Sequence, residues 1–188
     1  MRYLNYLLFA AMLGTLQGCF PVAAVGVGAG TLVASDRRTT GAYIEDESIG
    51  FKAISQIELK YKNTVHVNVT SFNRHVLLTG EVPSEAVKAD IAQIITSMPN
   101  IKAVSNELAV SGSSGLSSRS GDSIITGDVK LRFLKSKVFQ ANHIKVITEN
   151  GTVFLMGLVY HKEAEAATEI ASTTSGVQRV VKVFEYLD

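Results

Sequence analysis

The side chains able to do chemistry in this 188-residue chain are few and scattered. His66, His75, His143 and His161 stand singly, none at metal-ligand spacing from another, and the sole cysteine, Cys19, cannot supply a thiolate set. No nucleophile elbow, phosphate loop or paired-carboxylate motif occurs. Gly26-Val27-Gly28-Ala29-Gly30 lacks the third spaced glycine and the flanking strand and helix of a dinucleotide loop. Enzymatic activity, a metal centre and a cofactor are therefore not expected. What stands out is a cationic run: Lys130, Arg132, Lys135, Lys137 and Lys145 lie between Asp128 and Glu149 with no acid among them. Such a run, mixed with apolar residues, suits contact with an anionic surface. With 18 basic and 17 acidic residues the chain as a whole is nearly neutral, so its overall charge does not point to nucleic acid.

Cys19 is the other chemically distinct position. It closes Leu16-Gln17-Gly18-Cys19, after an apolar stretch from Tyr3 to Leu16 that follows Arg2 and is too short to span a bilayer. The run resembles a bacterial lipobox, with a branched apolar residue three positions before the cysteine and a small residue just before it. The resemblance implies that residues 1–18 are a lipoprotein signal peptide and that Cys19 is the lipid-modified first residue of the mature protein. Residues 19–45 then read as a Gly/Ala-rich tether, whose glycines disfavour a membrane-spanning helix through Pro21 to Ala34. Phe20 stands where aspartate would retain such a lipoprotein at the inner membrane, which implies export to the outer membrane.

These residues need elements to position them, and an internal repeat supplies them. The stretch Val67 to Val82 aligns without gaps on Ile144 to Val159, setting Asn73 on Asn150, Val76 on Val153, Leu78 on Leu155, Gly80 on Gly157 and Val82 on Val159. Each copy reads as two β-branched strands joined by a tight turn, at Asn73-Arg74 or Asn150-Gly151. Gly80 and Gly157 mark a close backbone approach or a bulge. A helical pattern precedes each hairpin, Glu47 to Tyr61 and Asp122 to Lys135. A second follows, Pro83 to Met98 and His161 to Ser175. Third strands, Ile101 to Val110 and Val177 to Leu187, return through these helices to pair beside the hairpins. His66 and His143 occupy equivalent strand-entry positions, expected at the domain surface. The Ser/Gly-rich stretch 111–121 reads as a flexible linker.

The α-β-β-α-β repeat, with a glycine ending each hairpin, resembles the BON domain, and Glu149-Asn150-Gly151-Thr152-Val153-Phe154-Leu155-Met156-Gly157-Leu158 is similar to its core motif. The resemblance implies an α+β chain of two tandem BON domains, 46–110 and 122–188, each a small three-stranded mixed sheet covered by two helices. A lipobox followed by two such domains is similar to dual-BON outer-membrane lipoproteins. That implies a lipid-anchored, periplasm-facing, non-enzymatic protein whose second domain binds anionic phospholipid. It further implies support of outer-membrane integrity and concentration at division sites.

The first helix of the second copy bears on that expectation. At about 100° per residue, Ile125, Val129 and Phe133 form a stripe that should face the sheet. Ile124, Gly127, Leu131 and Leu134 form another on roughly the opposite side, flanked by Lys130 and Lys135. One core needs one apolar stripe, so the second has a further partner: the first domain, the tether or a membrane. In the first copy Gly50, Ile54, Ile57 and Tyr61 are expected in the core, with Lys52, Ser55, Gln56 and Lys60 opposite and Phe51 and Leu59 isolated. The stripe alone leaves these partners open; the resemblance implies that residues 124, 127, 130, 131, 134 and 135 are phospholipid contacts. Ile124 stands where the resembled family carries a large aromatic, which implies shallower insertion. The alternative is a module for periplasmic or outer-membrane proteins that uses the first domain's surface, with the lipid acting only as a tether.

Overall fold

The structure, a computed structural model, describes residues 36–112 and 116–188. The expected signal peptide, Cys19 and most of the expected tether lie outside the described residues. The first domain runs α1 (Thr40–Tyr61), β1 (His66–Phe72), β2 (His75–Val82), α2 (Glu85–Thr96), β3 (Ala103–Asn106) and β4 (Ala109–Val110). The second runs α3 (Leu116–Phe133), β5 (Ile144–Glu149), β6 (Thr152–Val159), α4 (His161–Ser172) and β7 (Arg179–Tyr186). Short 3₁₀ turns at Lys62–Thr64 and Ala141–His143 lead into the two hairpins.

Both hairpins turn as their sequences require. Asn73 and Arg74 adopt φ of 51° and 66°, Asn150 and Gly151 φ of 47° and 70°, the left-handed pair whose twist matches the flanking strands. β1 pairs antiparallel with β2, and β3 and β4 pair parallel with β2 on its other side. In the second domain β6 is central between antiparallel β5 and parallel β7. Gly80 and Gly157 mark close approaches: a Cβ would collide with the His66 carbonyl oxygen at Gly80 and would lie 2.5 Å from that of His143 at Gly157. Gly80 also sits at φ 111°, and the expected third strand is interrupted opposite it, at Glu107 and Leu108. Pairing resumes in the same register at Glu81↔Ala109. Gly157 is outside the left-handed region, and β7 runs unbroken from Arg179 to Tyr186.

Each domain has a core between its sheet and helices. In the first, Ile49, Ala53 and Ile57 of α1 meet Val76, Leu78, Ile91 and Ile95; in the second, Val129 and Phe133 of α3 meet Val153, Leu155, Ala167 and Ala171. The opposite faces of the sheets form a third cluster of Phe72 and Leu77 with Phe154, Met156, Leu158 and Val183. The two domains therefore pack sheet to sheet. This explains why β2 and β6 read as apolar runs rather than alternating strands: both of their faces are covered. Polar contacts rim the seam, Asn73 Nδ2 donating to Glu185 at 2.7 Å and Asn150 Nδ2 to Glu81 at 2.7 Å.

Several expectations are corrected. α1 begins at Thr40, inside the expected tether, where the Thr39 hydroxyl accepts the Ala42 N–H at 3.1 Å and caps it. α3 begins at Leu116, inside the expected linker. α2 starts at Glu85, because Ser84 caps it and leaves Pro83 outside. The core stripe of α1 is Asp46, Ile49, Ala53 and Ile57, rotated from the expected one, so Gly50 is only half-buried and Ile54 is exposed. Ile44 and Phe51, two turns apart on one face, are 64% and 76% exposed; the first copy too carries unpartnered apolar side chains. The histidine expectation also fails: His143 is buried and His66 is half-buried at the seam.

Candidate membrane-contact site

The face of α3 opposite the core is built by its own periodicity. Val129 and Phe133 are fully buried and Ile125 packs beside them, which turns Ile124, Leu131 and Leu134 outward. These three are 66%, 59% and 71% exposed, and Gly127 between them is open, with nothing within 4 Å of where a Cβ would stand. Lys130 and Lys135 are exposed on its two edges. Of the six expected contact residues, Ile124, Gly127, Lys130 and Leu131 thus share one solvent-facing side of α3, and Leu134 and Lys135 are exposed in the turn just past its end at Phe133. Lys137 and Val138, in the loop that follows, are exposed as well.

Arg132 does not belong to this face. Its guanidinium donates to the Ile170 carbonyl at 2.7 Å, to Thr174 Oγ1 at 2.6 Å and to Thr173 Oγ1 at 2.9 Å. It ties α3 to the C-terminal turn of α4, where carbonyls lack helical partners.

One flank of the face drops into a groove of about 470 Å³ between the domains, lined by Tyr43, Glu47 and Phe72 of the first and Lys130, Leu134, Ile144 and Lys145 of the second. Lys145 lines this groove, where crowding withholds water from its ammonium. This holds its pKa below the ordinary lysine value against the opposing pull of Glu47. Arg38 closes the groove. Burial opposes its charge, yet hydrogen bonds to Asp36 and Asp46 prevail and raise its pKa, and the guanidinium lies 4.1 Å over the Phe72 ring. Arg37 reaches the second domain, donating to Glu163 at 2.6 and 2.9 Å and to the Leu158 carbonyl at 2.8 Å. The residues just before α1 therefore lock the domain pair rather than hang free.

Sequence reasoning missed the two aspartates that hold these helices to their hairpins. Asp122, buried at the start of the core stripe, accepts both N–H groups of the Asn150-Gly151 turn, and Asp46 does the same at Asn73-Arg74. The ungapped hairpin alignment hides the equivalence, since Asp46 precedes its turn by one residue fewer than Asp122 does. His66, Glu81 and Glu149, far apart in sequence, also come together at the seam.

Comparison with known proteins accords with this architecture. The BON domain matches twice, over residues 46–112 and 121–188. The chain is 41% identical over 175 residues to the outer membrane lipoprotein DolP of Haemophilus influenzae, covering 92% of this chain and 91% of that protein. It is 30% identical to a 21 kDa hemolysin of Actinobacillus pleuropneumoniae, over 81% of this chain and 79% of that one. It is 25% identical to the osmotically-inducible protein Y of Escherichia coli, over 81% and 78%.

Proposed function

The chain belongs to the BON-domain family, with two copies in tandem, and from that premise we propose that it is a lipid-anchored outer-membrane protein that reads anionic phospholipid through the exposed face of α3. Cys19 carries the acyl anchor, the two domains face the periplasm, and the protein supports envelope integrity, including at division sites. The outer-membrane assignment accords with the relative from Haemophilus influenzae, named an outer membrane lipoprotein. Among the described residues no helix is long and apolar enough to cross a membrane.

The observation that carries the lipid reading is the row of exposed Ile124, Leu131 and Leu134 on the side of α3 opposite the core, with Lys130 and Lys135 at its edges. Each lysine contributes about 1 kcal/mol near anionic headgroups, and each partly inserted aliphatic side chain a similar amount. These terms give a weak face, which an anchor keeps within reach of lipid at high effective concentration. The test is co-sedimentation of residues 36–188 with vesicles of anionic or neutral lipid. Binding to anionic vesicles that weakens with salt supports the reading; equal failure with both vesicle types refutes it.

Exposed Ile44 and Phe51 on α1 favour a second reading, a protein contact made by the first domain. Phe51→Glu separates the two. On the lipid reading it leaves vesicle binding and envelope integrity intact, whereas on the second it leaves vesicles untouched but impairs the envelope.

A further inference from the structure

A cluster at the domain seam lies outside the set of residues proposed for lipid contact. His66 and Glu81 face each other across β1 and β2, and Glu149, at the end of β5, joins them from the second domain. One ligand atom from each of the three lies within 4.8 Å of the others. Asn150 Nδ2 donates to Glu81 Oε1 at 2.7 Å, Asn68 Nδ2 donates to Glu149 Oε2 at 2.9 Å, and His66 Nε2 stands 3.9 Å from Glu149 Oε1. One oxygen of each carboxylate is thereby engaged by an amide.

The other Glu81 oxygen is the unusual one. Glu81 is 2% exposed, and its buried Oε2 has no hydrogen-bond partner among the described residues. A buried anionic oxygen without a donor is costly, and a second carboxylate beside it adds repulsion. Neither glutamate has a lysine or arginine partner among the described residues. A cation is the species that satisfies all three side chains at once.

We propose that His66, Glu81 and Glu149 form a site for a divalent cation of the Zn²⁺ class, which pins the two domains together. One imidazole and two carboxylates suit Zn²⁺, whose fourth position takes water; Mg²⁺ and Ca²⁺ prefer a larger all-oxygen shell. His66 and Glu149 retain 22% and 12% side-chain exposure, and a groove of about 360 Å³ lined by both, with Asn68, Asp122 and Thr148, gives an ion a way in. Because two ligands come from the first domain and one from the second, the ion binds fully only when the sheets are docked. Its binding therefore stabilises that arrangement.

The test titrates chelator-stripped full-length protein with Zn²⁺ against a chromogenic chelator and follows the melting temperature. The expected result is one ion per chain, a rise in melting temperature, and no comparable response to Mg²⁺. His66→Gln and Glu149→Gln should each weaken binding at least about tenfold and abolish the rise, whereas His161→Gln, at the exposed His161–Asp188 pair, should change neither. Imidazole NMR of the unsubstituted protein reads the same site without risk to folding: Zn²⁺ should perturb His66 before His161. Absence of binding, binding that survives both seam substitutions, or a first response at His161 overturns the proposal.

Discussion

The Asp122 carboxylate accepts the backbone N–H of Asn150 at 2.9 Å and that of Gly151 at 2.8 Å, fastening α3 to the β5–β6 turn. The bond pair fixes the azimuth of the helix. With Asp122 turned in, Ile125, Val129 and Phe133 follow on the core side and Ile124, Leu131 and Leu134 are turned to solvent. Asp46 holds α1 in the same way through Asn73 and Arg74 at 2.7 Å each, and also accepts from Ser71 and Arg38.

Asp122→Ala should destabilise the second domain by about 3 kcal/mol, because two turn N–H groups lose their acceptor at a buried position. Asp46→Ala should cost more, since Arg38 is left with one acidic partner fewer in a partly buried site. Urea denaturation checks both, and equal or negligible losses would contradict the ranking.

Ile124→Glu and Leu131→Glu should each remove binding to anionic vesicles while changing unfolding free energy by no more than about 0.5 kcal/mol, as exposed positions tolerate charge. Val129→Glu, at a fully buried position on the core side of the same helix, should unfold the domain. Vesicle sedimentation read beside thermal unfolding separates the two classes, and unfolding by Leu131→Glu would show that its face is structural.

The Arg37–Glu163 pair predicts a pH dependence. The hydrogen bond from Arg37 holds the Glu163 carboxyl below its ordinary value of 4.5, with burial opposing. A folded-state pKa below the unfolded one means that the stabilisation is complete above the unfolded value and is lost as pH falls through the folded one. Docking of the residues before α1 should therefore hold at neutral pH and fail on acidification below about 4.5. Protease cleavage near Arg37, followed against pH, should accelerate in that window, and Glu163→Gln should flatten the profile.

Gly80→Ala should cost more than about 3 kcal/mol. The added methyl would collide with the His66 carbonyl oxygen, and φ of 111° is strained for any L side chain. A circular-dichroism melt of this variant should show the first domain unfolded or greatly weakened.

Much of this fold could be read from the chain because its signals are local. Asn73-Arg74 and Asn150-Gly151 sit between β-branched runs, and the aligned Gly80 and Gly157 report a tight backbone approach that needs no knowledge of the partner strand. The stripe of α3 is legible for the same reason, since Ile125, Val129 and Phe133 repeat at a helix period. The stripe of α1 is not, because its core side is carried by small Ala53 and charged Asp46, which hydrophobicity does not mark. Arg132 reads as one more cation of the run because nothing local shows that the end of α4 lies against it.

The sequence by itself determined the two repeats, their hairpins and the outward face of α3, since each depends on spacing within one segment. Only the tertiary structure decided that the sheets pack on each other, that Arg37 and Arg38 bind back onto the domains, and that Glu149 meets His66 and Glu81. Those facts depend on residues far apart in the chain, and the long apolar runs of β2 and β6 say that both faces are buried without saying against what. The physical reason is that hydrophobic burial is proportional to area and non-directional. It can reveal that a partner exists, but the identity of that partner follows from the shape and polar rim of the assembled surfaces.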